Sequence, residues 1–181
     1  TMTYPVTVQA AYDAANLYVR LTFKAPAGGF DKSDKDNELK ATVMFPSDKV
    51  PLADQAGCWA ACHDDAKGMP KGKDKTKYVS AGAMDLVQWA SSGKSSDGFV
   101  ADKRNMTGGK AGATAEGAKA GDTYTVTFTR KLAGNAVLAA GKAVPFGIAI
   151  HADNAGGRFH HVSFGHTIGL GADGDVKAAK Q

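Results

Sequence analysis

The stretch TYTVTFTR at residues 123–130 decides the fold class of this chain. Tyr124, Val126 and Phe128 alternate with threonines along its length. Successive side chains of a β-strand point to opposite faces, so a repeat of two residues indicates a strand with one buried and one wet face. The stretch therefore predicts a strand of an all-β protein.

The same alternation of apolar with polar or small residues recurs along the chain. It is found at residues 6–12, 17–23, 39–45 and 144–150, and a last strand segment runs from residue 158 to about 170. Strands early and late in a chain, without helices alternating between them, favour an antiparallel β-sandwich.

The middle of the chain has a different pattern. Residues 51–65 predict a short helix, and residues 84–91 predict a strand or a short helix. Residues 66–77 are rich in Lys and Gly, and residues 107–121 are rich in Gly, Ala and Lys, so both predict long surface loops.

Length and composition predict one globular domain over residues 1–181. The chain is 43% hydrophobic and 22% charged, as in ordinary globular domains. Its net charge of +4 is too small to argue for nucleic-acid binding. No stretch approaches the roughly 18 apolar residues of a membrane-spanning helix.

The segment CWAACH at residues 58–63 carries the chemistry. It contains both cysteines of the chain, Cys58 and Cys62, and His63 follows directly. Two close cysteines ending in Cys-His are typical of covalent haem attachment, in which each thiolate adds to one vinyl group and the histidine binds the iron. The usual spacing is two residues. Here it is three, but positions four apart still share a helix face. We expect one haem c, with Trp59 packing against the porphyrin.

Two other interpretations of this segment are less favoured. Cys58 and Cys62 are close enough in sequence for a local disulfide. A zinc site is less favoured, because no second Cys or Cys/His pair at zinc-finger spacing supplies a fourth ligand.

The sixth iron position needs a second ligand, whose identity largely determines the redox behaviour. In RFHHVSFGH (residues 158–166), His160 shares a strand face with Val162 and Phe164, the more apolar face. We therefore expect His160 to point inward as the distal ligand, with His161 and Met69 as weaker candidates. His151, opposite the apolar face of residues 146–150, is a poorer one.

Three segments resemble a known family: VTVQAAYDAANLYVRLTF at residues 6–23, DNELKATVMFP at 36–46 and AIHADNAGGRFHHVSFGHTIGLG at 149–171. They are similar to the haem-binding domain of the ethylbenzene dehydrogenase gamma subunit, whose relatives serve dimethylsulfide dehydrogenase and chlorate reductase. The resemblance implies a β-sandwich with one b-type haem between Met and Lys ligands, exchanging electrons with a molybdenum enzyme.

The chain departs from that family pattern at both ligands. GCWAACHDD at residues 57–65 replaces the methionine region, and His160, in HHVS, occupies the place of the lysine. The resemblance thus implies a covalent haem between His63 and His160. Similar CWAACH domains resemble parts of periplasmic cytochromes, some attached to quinol-oxidising multihaem modules, so the chain is also compatible with a module excised from such a protein.

Together these observations predict a monohaem c-type cytochrome domain that transfers single electrons to redox partner proteins. Covalent haem attachment takes place outside the cytoplasm, so we expect a periplasmic protein. No acid/base pair, nucleophile elbow or phosphate loop indicates an enzyme. If His160 does not bind the iron, the alternative is a module that binds or senses a small gas at an open sixth site.

Overall fold

The computed structural model describes residues 3–26, 38–50, 53–56, 83–101, 104–151 and 160–181. Strands dominate this part of the chain. In chain order the elements are β1 (Thr7–Tyr12), β2 (Asn16–Lys24), β3 (Lys40–Pro46), α1 (Ala53–Ala56), β4 (Met84–Ala90), β5 (Ser95–Val100), β6 (Arg104–Asn105), β7 (Thr114–Ala120), β8 (Thr123–Lys131), β9 (Lys142–His151), β10 (His160–Val162), β11 (His166–Leu170), β12 (Val176–Lys177) and β13 (Ala179–Lys180).

These strands form two sheets. The smaller has five strands in the order β13-β1-β2-β8-β7, and the larger has eight, with β12-β11-β9-β3-β4-β5-β6 in line and β10 paired to β9. Among the strands in the described ranges, β1 with β13 and β11 with β12 run parallel, and the other neighbours are antiparallel. The predicted all-β sandwich is confirmed.

The main core lies between the two sheets. The alternating apolar residues of β2, β8, β3 and β9 all point into it; the largest of them that are fully buried are Leu17, Leu21, Phe45, Phe128, Phe146 and Ile150. The polar partners of β2 and β8 point away, as the period of two requires. Trp89 packs in this core, edge-on to Tyr124 at 5.9 Å between ring centroids. Burial of the alternating faces holds the sheets together.

Residues 84–91, for which the sequence left two possibilities, contain the strand β4. The helix predicted over residues 51–65 is described only at α1, which ends before Cys58. The rest of that segment lies outside the described residues, so a helical attachment segment stays a prediction.

The expectation of a loop throughout residues 107–121 is wrong, because β7 occupies Thr114–Ala120. Its sequence, TAEGAKA, has little β propensity. The strand forms because β8 pairs with it from Thr114 opposite Thr129 to Ala120 opposite Thr123. Tertiary pairing overrides a weak local preference here.

Gly117 of β7 is needed for this packing. A Cβ at that position would overlap the buried Trp89 ring, which Tyr124 holds from another side. We expect Gly117→Ala to lower the free energy of unfolding by about 1–3 kcal/mol, the usual cost of overpacking. Urea denaturation measures it, with Ala118→Ser on the same exposed strand as control. Equal stability of the two variants would show that the Trp89 ring can move aside for the added Cβ without lowering the free energy of unfolding.

Candidate haem-binding face

The larger sheet has an outer face, the side turned away from the main core, and this face is also apolar. Met44 lies opposite Leu86 on β3 and β4, and Met84 lies opposite Val100 on β4 and β5. These side chains form a second buried cluster, the outer cluster: Met44, Val50, Ala53, Met84, Leu86 and Val100, with Met106 and Val162 partly buried against it. Antiparallel sheets commonly leave one face wet. An apolar outer face therefore indicates that something covers it.

Two histidines lie together on this outer face. His160 of β10 is in register with His151 of β9, whose neighbour Ile150 points into the main core. Their rings are stacked, with centroids 4.6 Å apart and planes 24° from parallel. The Nδ1 atoms of both rings are buried, and that of His151 has no hydrogen-bond partner among the described residues.

Burial keeps His151 neutral. Desolvation lowers the pKa of His151 to about 3, with smaller contributions from His160, Lys40 and Arg104. A neutral imidazole retains a nitrogen lone pair, the form in which histidine binds metals. The protonated, charged form of His151 is therefore disfavoured throughout the physiological pH range.

His161, next in the chain, lies on the opposite side of β10. Its ring stacks on Tyr4, with centroids 4.6 Å apart. Tyr4 and both histidines of β10, His160 and His161, line a cleft of about 920 Å³, with an apolar wall that includes Ile148 and Ile150. Burial raises the pKa of Tyr4 to about 12. The two adjacent histidines of β10 thus share this cleft but stack on different rings, His160 on His151 and His161 on Tyr4.

The short helix α1 connects the outer face to the cysteine segment. Ala53 is part of the outer cluster, and the carbonyl of Gln55 accepts a hydrogen bond from the Gly165 N–H at 2.9 Å. The helix contacts β9 and β11. It ends at Ala56, two residues before Cys58. The described chain therefore approaches the cysteines from the outer face of the sheet.

Comparison with known proteins gives the family. Residues 1–120 match the family model described as ethylbenzene dehydrogenase. The chain belongs to the ethylbenzene dehydrogenase family. The curated relatives are cytochrome c-551 of Rhodocyclus tenuis, 51% identical over the whole chain and 71% of that protein, and cytochrome c-552 of Stutzerimonas stutzeri, 49% identical over 96% of the chain and 64% of that protein.

These findings show that the chain is a haem-binding cytochrome domain of the c type. It is an electron carrier and takes part in electron transport. The predicted resemblance to the gamma-subunit-like domains is confirmed. Among solved structures, a family 9 carbohydrate-binding module from Caldicellulosiruptor kristjanssonii in complex with glucose is similar over 91% of this chain and 68% of its own, with 10% identity and a TM-score of 0.45. No helix in the described part of the chain is long and apolar enough to cross a membrane.

The residues on the outer face of this cytochrome domain would fit a haem. The porphyrin needs apolar contacts, and the iron needs nitrogen or sulfur donors. The outer cluster supplies the first, and the stacked His151 and His160 supply imidazole nitrogens on the same face. The buried His151 Nδ1 without a described partner is the kind of atom that a functional site explains.

The predicted orientation of His160 differs in part from the observed one. His160 does share its face with Val162, but this is the outer face, and Phe164 is 72% exposed. His160 therefore does not point inward to the main core as expected, and its role as the distal ligand stays a prediction. His151 does lie opposite Ile148 and Ile150, and for that reason it lies beside His160.

The remaining site predictions concern residues outside the described ranges. They are the two cysteines, Trp59, His63 and Met69. Their roles stay predictions. The pairing of His151 with His160 was missed; apolar residues such as Met44, opposite the core face of β3, hinted that the outer face is covered.

Proposed function

We propose that this chain is a periplasmic domain that transfers single electrons through one covalently bound, bis-histidine haem c. Cys58 and Cys62 form the thioether links, His63 is the proximal ligand and His160 the distal ligand. Trp59 packs against the porphyrin. The bound iron supplies the chemistry by cycling between its ferrous and ferric states.

One observation carries this proposal: the outer face combines a buried apolar cluster, the His160 ring and the helix that leads into the cysteine segment. The cluster would pack against the ring system of the haem and exclude water. The two sheets share one main core, which supports a single domain over residues 1–181.

His160 would act by closing the sixth position. An imidazole on each side leaves no site for a substrate and favours electron transfer over catalysis. Two histidines also give a lower reduction potential than a His/Met pair, because the axial ligand is a main determinant of the potential.

The proposed haem chemistry suggests where the domain is located and which proteins it exchanges electrons with. Covalent haem attachment takes place outside the cytoplasm, which supports a periplasmic location. The chain spans 71% and 64% of its two curated relatives. Redox proteins are the expected partners; a quinol-oxidising multihaem cytochrome and a molybdenum enzyme are the two classes that the family resemblance suggests.

Adjacent alanine variants of β10 test the distal ligand. We expect His160→Ala to open the sixth position, so that the ferrous protein changes from almost no carbon monoxide response to nearly complete binding. His161→Ala, on the opposite side of the same strand, should behave like the unchanged protein. Carbon monoxide difference spectra measure both.

Two results would contradict this assignment. A strong carbon monoxide response of the unchanged protein would mean an open sixth site and would favour the gas-binding alternative. A site opened by His161→Ala and not by His160→Ala would make His161 the distal ligand, on the side of β10 where its ring stacks on Tyr4.

A further inference from the structure

We infer that His151 is a positioning residue, which sets the plane of the His160 ring on the haem iron. This inference rests on the proposed function, in which His160 is the distal ligand. The outer partners of a metal-binding histidine commonly fix the orientation of its ring. Here the partner is a stacked ring.

The contact between the two rings supports this role. Their centroids are 4.6 Å apart and their planes are 24° from parallel. This distance lies within the range of about 4.5–7 Å at which offset aromatic rings attract each other. The register of β9 and β10 places the two residues directly opposite each other, so the stack follows from the backbone pairing.

The two strands differ in how firmly they are held. His151 ends the ten-residue β9, which has β3 on one side and β10 and β11 on the other; Lys40 of β3 is its partner opposite His160. His160 begins the three-residue β10, whose strand partner is β9. The backbone of His151 is therefore held on both sides by paired strands, so its ring offers a fixed surface against which the His160 ring lies.

The ring plane of His151, and not its polar atom, is what reaches His160. His151 Nδ1 is buried and makes no hydrogen bond within the described structure. A phenylalanine at this position would keep the stacking surface, whereas a leucine would fill much of the volume without a planar ring.

Electron paramagnetic resonance of the ferric protein tests the inference, because the g values of a low-spin haem depend on the angle between the two axial ring planes. We expect His151→Phe to keep the g values of the unchanged protein. His151→Leu should keep a six-coordinate spectrum but shift and broaden the g values. His161→Leu is the matched control, and thermal unfolding verifies that each variant is folded.

The outcomes separate this inference from the proposed function. Unchanged g values in His151→Leu would overturn the positioning role, and equal shifts in the leucine and phenylalanine variants would overturn the stacking mechanism. If His160→Ala leaves the haem six-coordinate while His151→Phe opens it to carbon monoxide, His151 is the ligand. The proposed distal ligand and this inference then both fail.

Discussion

Replacing Cys58 and Cys62 together with alanine is expected to release essentially all of the haem into acidified acetone, whereas the unchanged protein should retain it. The two thioether bonds are the only covalent links proposed between haem and chain, and the sequence contains no third cysteine. The measurement is acid-acetone extraction followed by the pyridine haemochrome spectrum of protein matured in a periplasm. In the unchanged protein, the α band should show the shift caused by saturated vinyl groups.

Single cysteine variants are the controls. Cys58→Ala and Cys62→Ala should each retain the haem through one bond, with an α band between those of the two-bond and unbonded forms. Extraction of haem from the unchanged protein would instead mean a b-type domain, as in the gamma subunits that the sequence resembles. A protein without any haem would overturn the cytochrome assignment.

The second large effect is expected at a buried ion pair. The Oδ2 atom of Asp85 lies 3.2 Å from the Nη1 atom of Arg130, and both side chains are almost wholly buried. The Asp85 carboxylate also accepts hydrogen bonds from the backbone N–H groups of Asn135 and Ala136, and Arg130 donates to the carbonyls of Lys131 and Ala136. The pair thus ties the segment after β8 to the start of β4.

Asp85→Asn keeps the shape of the side chain but leaves the Arg130 charge buried without its partner. Loss of one member of a buried pair typically costs about 3–5 kcal/mol. That is a large share of the ~5–15 kcal/mol that stabilises a typical protein. We expect the midpoint of urea unfolding to fall by about 1 M or more. The haem spectrum of the folded fraction should not change, since Asp85 faces the main core.

An exposed ion pair gives the matched control. The Nζ atom of Lys177 lies 2.9 Å from the Oδ1 atom of Asp173, but both side chains are highly exposed. Because exposed ion pairs contribute little to stability, Asp173→Asn should hardly change the midpoint of urea unfolding. The double variant Asp85→Asn with Arg130→Met should recover part of the loss, because the unpaired charge is removed. If Asp85→Asn is as stable as Asp173→Asn, the buried pair does not hold the segment after β8.

The strands that the sequence predicted well are those with regular alternation. In β2, and in β8 as far as Phe128, every second side chain is apolar, and each of these is buried in the main core; the next position of β8 on that face is the buried Arg130. This pattern is local and needs no knowledge of the neighbours. In β7 the pattern is missing, because an edge strand of small residues is defined by its pairing with β8.

The features of the candidate site also separate into those set by local sequence and those set by tertiary packing. The amino-acid sequence by itself determined the strand faces, the grouping of His160 with Val162 and the cysteine–histidine segment expected to attach haem, because these depend on residue type and spacing alone. Only the tertiary structure decided which face of the larger sheet lies inside the sandwich and that His151 lies against His160. The physical reason is that a period of two is the same for both faces of a strand. Packing of the second sheet and pairing between distant strands remove that ambiguity.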